Sequence, residues 1–161
     1  MLMRRNWIAR FIYDKKHLHK KDDGGYAIKK NAFQPKMAKP ETSVNLHKIF
    51  KDYIPWRIGR KVRPSEVLIG AGELDRTSLS KFSLHVKRAP VLRHLNLHHA
   101  NILGWSMQKQ ELIMQAQKLA AAAKFVPIDE ALLVDGVPDN PICPRQFSKV
   151  LEFLKGLVKV A

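Results

Sequence analysis

Cysteine is almost missing from this sequence: Cys143 stands alone among 161 residues, so no intrachain disulfide forms and no multi-cysteine zinc site is built. A reducing compartment follows, and the expected localisation is cytoplasmic. Long apolar runs are missing as well. Nowhere do about 18 uncharged apolar residues follow one another, and the apolar stretch after Arg4 and Arg5 is cut by Arg10, Asp14 and Lys15, too short for a signal-peptide core. No membrane partner is expected. Gly70-Ala-Gly72 falls far short of a dinucleotide or P-loop fingerprint, and there is no helix-turn-helix, zinc-finger or basic-zipper spacing. Sequence-specific reading of duplex DNA is therefore not expected, nor is any cofactor or metal. Internal repeats are also lacking.

Acidic residues are scarce. The 29 Lys and Arg face 14 Asp and Glu, for a formal charge of +15 and a pI near 10.2. Such an excess costs the compact state self-repulsion, which an anionic partner relieves, and nucleic acid is the commonest partner of so basic a domain. The excess is concentrated: residues 1–63 hold 17 Lys or Arg against five acids, and the remaining 98 residues hold 12 against nine. Any polyanion surface thus belongs mostly to the N-terminal part. With 45% hydrophobic residues the chain also supports one ordinary core.

Trp7, Ile8, Phe11, Ile12 and Tyr13 make an aromatic and β-branched run that predicts a first strand over Asn6–Asp14. Lys15–Lys30 then holds six lysines around Asp22, Asp23, Gly24 and Gly25, the chemistry of a hairpin or an exposed basic loop. Two prolines make 31–40 extended, and Thr42–Leu46 reads as a short strand. Leu46, Ile49, Phe50 and Tyr53 recur at helical spacing, so a short helix is expected over Asn45–Ile54, stopped by Pro55. Trp56–Arg63 is basic and aromatic; Ser65–Gly72 and Phe82–Val86 are brief apolar stretches of undecided type. His98–Trp105 reads as a strand ending at Gly104. In 108–124, Leu112, Ala116, Leu119, Ala120 and Ala123 share one face, alanine is abundant, and Glu111 sits early with Lys118 and Lys124 late; propensity and macrodipole agree on the principal helix.

The expected fold class is α+β: one domain over 6–126 with a small mixed or antiparallel sheet and one principal helix. A Pro-rich acidic linker over 127–144 and a C-terminal amphipathic helix over 145–161 follow, with an apolar stripe of Phe147, Val150, Leu151, Leu154, Leu157 and Val158. That stripe packs on the protein's own sheet or docks to a partner subunit.

Arg10-Phe-Ile-Tyr13, Ala32-Phe-Gln-Pro35, Glu41-Thr-Ser-Val44 and His99-Ala-Asn-Ile102 followed by Gly104-Trp105 together resemble a family of small bacterial proteins with no established activity. The resemblance spans roughly residues 10–125, and His-Ala-Asn-Ile-x-Gly-Trp is its most specific element. Family members usually carry Pro after that Trp, where this chain has Ser106; this chain also has a more basic N-terminal loop and an added tail. The resemblance implies domain boundaries, with the tail after Phe125 a separable addition, and no function.

Of the candidate chemical residues, His94, His98 and His99 lie close in sequence, but adjacent residues of a strand point to opposite faces, so a structural role is expected for His99. His17 and His19 sit among lysines that repel a cation and suit phosphate contacts better. Cys143, flanked by Pro141 and Pro144, reads as a neutral thiol. Glu41, Asp75 and His99 are the candidate acid–base set, with Arg10 and Tyr13 as donors to a developing anion. The stronger signal is basic residues interleaved with aromatics. Lys15, Lys16, Lys20, Lys21, Lys29, Lys30, Arg57, Arg60, Lys61 and Arg63 are the candidate phosphate contacts, and Tyr26 and Trp56 the candidate exposed rings, whereas Trp7, Phe11 and Phe33 are expected in the core. The function expected is sequence-tolerant nucleic-acid binding, RNA or DNA, as an accessory subunit of a bacterial or phage nucleoprotein assembly. The alternatives are a small enzyme acting on a nucleotide or nucleic acid, and an adaptor docking through its C-terminal helix.

Overall fold

In a computed structural model, which describes residues 7–47, 56–92 and 96–128, the run Trp7–Ile12 forms strand β1. Two short strands follow, β2 (Leu18–Lys20) and β3 (Tyr26–Ile28), which pair as a hairpin. The remaining elements are β4 (Thr42–His47), α1 (Trp56–Val62), β5 (Gly70–Asp75), β6 (His85–Arg88), β7 (His99–Leu103), α2 (Lys109–Ala122) and β8 (Lys124–Pro127). Six strands form one antiparallel sheet in the order β6-β7-β4-β1-β5-β8. The class is α+β, with α2 the principal helix.

Position in the sheet explains the composition of β1. One face supplies Ile8 and Ile12 to a core with Val44, Leu46, Leu74 and Ile102, covered by Leu112, Ala116 and Leu119 of α2. The other supplies Ala9 and Phe11 to a second cluster with Ala71, Leu68 and the α1 residues Trp56 and Ile58. A central strand buried on both sides needs no polar alternation. The approach of α1 is close at Gly59: a Cβ there would lie 2.8 Å from Leu68 Cδ2 and 3.0 Å from the Phe11 ring, so those side chains would have to shift.

The His-Ala-Asn-Ile-x-Gly-Trp run has a local structural account. β7 buries Ala100 and Ile102, and Gly104 follows at φ +91 with its α-carbon so near Ser83 O that a Cβ would sit 2.6 Å away. Only glycine makes that exit without strain. Trp105 then folds back, its indole Nε1 donating to Ile102 O at 3.0 Å. Ser106 closes the start of α2: its Oγ accepts the Gln108 N–H at 3.1 Å and donates to Glu111 Oε2 at 2.6 Å.

Several expectations change. Asn45, Leu46 and His47, expected to begin a helix, belong to β4, because both edges of that strand pair, with β1 and with β7; the rest of that helix lies outside the described residues. The stretch 31–40 is not extended but turns through a 3-10 helix at Lys30–Ala32 and a Lys36–Lys39 bridge. Trp56–Arg63 is largely helical, and Trp56 is 2% exposed rather than displayed, since it anchors α1 to the sheet. Tyr26, at 48% exposure, is displayed, and Phe11 and Phe33 are in the core. Past α2 the chain pairs again. β8 runs to Pro127 on the sheet edge, where a proline is tolerated, and the Ile128 N–H donates to Ile69 O at 3.1 Å. The expected C-terminal helix and Cys143 lie outside the described residues.

Candidate functional site

The basic loop is built as a platform. Asp14 ends β1 by accepting the Lys16 N–H at 2.8 Å, which starts a 3-10 helix over Lys15–His17. The hairpin that follows turns at Gly24, with φ +82, and is pinned by the Gly25 N–H on Asp23 Oδ1 at 2.8 Å. Leu18 and Ile28 point inward and are buried, and the Lys29 N–H donates to His17 O at 2.8 Å. The lysines are thereby left on the outside.

Between this hairpin, the C-terminal half of α2 and β8 lies a groove of about 1210 Å³. Lys15, Lys21, Lys29 and Lys30 stand along it, joined by Lys124 from β8. All five are exposed, and the first four have no acidic partner among the described residues. The floor is apolar, made by Leu18, Ile28, Ile69 and the small α2 residues Ala120 and Ala121. Tyr26 stands on it edge-on to Phe125, ring centroids 5.8 Å apart at 69°.

A second cavity, about 600 Å³, opens where the sheet splits. The β1–β4 ladder stops at Ala9 opposite Asn45, although β1 stays paired to β5 as far as Ile12. Arg10 occupies the gap. Its Nε donates to Ala32 O at 3.0 Å and its Nη1 to Ser43 O at 2.7 Å. Enclosure by protein lowers its pKa to about 10, helped by repulsion from Arg63 and opposed by Tyr13. Tyr13 ties α1 to the site, its hydroxyl donating to Gly59 O at 2.6 Å and its ring carrying the Arg63 guanidinium at 5.1 Å. Burial pushes the Tyr13 phenol up to about 12, against the pull of Arg63 and Arg10. Burial likewise lowers the His17 pKa at the rim, against the attraction of Asp14.

The acids around this cavity are taken. Asp14 pairs with Lys16 at 2.8 Å, and that hydrogen bond holds its carboxyl below the ordinary range. Glu41 meets Lys39 at 2.5 Å and accepts Asn101 Nδ2 at 3.0 Å; Glu66 is chelated by Arg63 at 3.0 and 3.1 Å.

The structure thus sorts the candidates. Lys15, Lys21, Lys29, Lys30 and Tyr26 share the groove; Lys16 and Arg63 line the second cavity; Lys20, half-buried Arg57, Arg60 and Lys61 line neither. Of the acid–base set, Glu41 and His99 line the second cavity together with Arg10 and Tyr13. Asp75 is two strands beyond β4, opposite Trp7, and its carboxylate accepts the Thr77 N–H and hydroxyl, both at 2.9 Å. His99 is half-buried and its Nδ1–H donates to Ala89 O at 2.6 Å, tying β7 to the end of β6 rather than to α2. His19 is exposed on β2; His94 is outside the described residues.

Sequence reasoning missed Lys124 and Phe125, which reach the groove only because the chain re-enters the sheet after α2. It also missed His47 and Glu73, whose Nε2 and Oε1 lie 3.2 Å apart with both side chains essentially sealed from solvent. The available signal was a histidine and a glutamate, His47 and Glu73, set beside the apolar Leu46 and Leu74 in their strands. Comparisons of the chain with family models, curated proteins and solved structures give no match.

Proposed function

We propose that this protein binds nucleic acid along the groove between its β2–β3 hairpin, α2 and β8, without a fixed sequence preference. The observation that carries this reading is four lysines, without acidic partners among the described residues, standing over an apolar floor beside a half-exposed tyrosine. Phosphates suit the rim, and the flat faces of unstacked bases suit the floor and the Tyr26 ring, a combination that favours a single strand over a duplex. An acidic protein partner would answer the lysines and leave the aromatic floor unused. The role is that of an accessory subunit that holds a strand for a larger assembly. The enzyme alternative is weaker here because Asp75 stands apart from Glu41 and His99, and Glu41 is already engaged through both oxygens. Fluorescence anisotropy with a labelled single strand of about 15 nucleotides tests it. Salt-sensitive binding that is weakened in a Lys21→Gln, Lys29→Gln, Lys30→Gln variant supports the reading; no binding by the parent at low salt refutes it.

A further inference from the structure

Arg10 is a cation held, among the described residues, by carbonyls alone. A guanidinium offers five N–H donors, and two carbonyls use two of them, leaving three. No carboxylate pairs with it among the described residues, and the charge that acts on it most is the like charge of Arg63. Arg10 is half-buried and lines the cavity, so its spare donors are offered to whatever anion enters there. Asp14, Glu41 and Glu66 are each committed to other cations, so none of the acids lining the cavity among the described residues pairs with Arg10.

From this we infer that the cavity between the parted strands β1 and β4 is a receptor for a phosphomonoester, with Arg10 and Arg63 as its recognition pair. A terminal phosphate has three free oxygens and up to two charges, which match the three spare donors of Arg10 and the Nε and Nη2 donors that Arg63 keeps beside its Nη1 contact with Glu66. The volume, about 600 Å³, falls in the ordinary small-ligand range and exceeds what phosphate alone needs. Gln34, exposed on the same lining, offers an amide suited to a sugar hydroxyl. The group recognised is therefore a nucleotide phosphate, borne either by a free nucleotide or by the end of a strand. Lys15 and Lys16 are consecutive in one 3-10 helix, the first on the groove and the second on this cavity, so a strand lying in the groove can place its end here. That link to a strand end rests on the groove reading; the phosphate site itself does not.

The test compares three oligonucleotides of one sequence by anisotropy: hydroxyl at both ends, a 5′-phosphate, and a 3′-phosphate. Adenosine monophosphate is titrated separately by calorimetry. The expected result is about tenfold tighter binding of one phosphorylated form than of the hydroxyl form, with the monophosphate competing for that advantage. In Arg10→Lys, which keeps the charge and loses the fork, and in Arg63→Gln, checked for a parent-like melting transition because Arg63 also holds Glu66 and lies over Tyr13, the ratio falls towards one. Equal binding of all three strands with no heat from the monophosphate overturns the proposal and leaves the groove reading standing. A hydroxyl-ended strand that fails to bind, beside a monophosphate bound in an Arg10-dependent way, overturns the groove reading and supports the cavity. A preference for phosphate that survives in both variants places the phosphate elsewhere and also overturns it.

Discussion

Neutralising the groove lysines is the perturbation whose size follows most directly from the structure. Lys15, Lys21, Lys29 and Lys30 stand over the groove without acidic partners, and each phosphate contact to a single strand contributes about −0.7 to the slope of log K against log salt. Four contacts give a slope of about −3, so affinity falls about 50-fold between 50 and 200 mM salt. With Lys21, Lys29 and Lys30 changed to Gln one contact remains, the slope relaxes to about −0.7, and the same salt step costs only about threefold. Melting temperature stays close to the parent's, because exposed lysines without ion-pair partners add little to stability. A matched variant at Lys81, Lys87 and Lys109, exposed residues away from the groove, keeps the parent slope. Lys124 is not a fair control, since it lies on the rim. The assay is an anisotropy titration at four or more salt concentrations, roughly spanning a tenfold range. A triple variant with the parent slope, or a matched variant that loses it, refutes the assignment of phosphates to this rim.

Three further outcomes are expected. Gly59→Val overpacks the α1 contact with Leu68 and Phe11 and lowers stability by about 1–3 kcal/mol in denaturant unfolding; an unchanged midpoint would show that α1 is not closely seated. His47→Leu strands Glu73 as an unpaired buried acid and costs about 3–5 kcal/mol, whereas the double change with Glu73→Leu recovers much of it, and additive losses in the double-mutant cycle would mean that the pair is not coupled. Tyr13 ionises later in the folded than in the unfolded chain, so its contribution to stability is present below about pH 10 and is lost as pH rises towards about 12. Arg10, with its lowered pKa, works in the opposite direction above about pH 10, so the comparison is between parent and Tyr13→Phe: the variant is about 1 kcal/mol less stable at neutral pH and declines less steeply in alkali. Parallel alkaline profiles for the two would contradict the buried state of the phenol.

How far the sequence reached depended on whether a feature was local. β1, β7 and α2 were legible because their signals are carried by neighbours along the chain: an apolar run buried on both faces, an Ala-Ile alternation, an alanine-rich stripe from Leu112 to Ala120. The basic loop was legible too, since charge and Asp-Gly-Gly turn chemistry need no partner. The helix expected from Asn45 failed because Leu46 is buried in either conformation, and the choice fell to strand pairing, of Leu46 with Ile8, 38 positions away, and of Asn45 with His99, 54 positions away. Trp56 failed for a related reason, in that an aromatic beside arginines reads the same whether it meets solvent or the far face of a sheet.

The sequence alone determined that the protein is a basic α+β domain with its charge gathered in the first 63 residues, because composition and short-range periodicity are properties of the chain whatever its path. Where that charge becomes a site was decided only by the tertiary structure. Lys124 and Phe125 complete the groove across roughly a hundred residues from Tyr26, and Arg10 comes to line a cavity because β1 and β4 part after Ala9. Both depend on which strands lie side by side, and strand adjacency is selected by the burial of the whole core rather than by any segment within it.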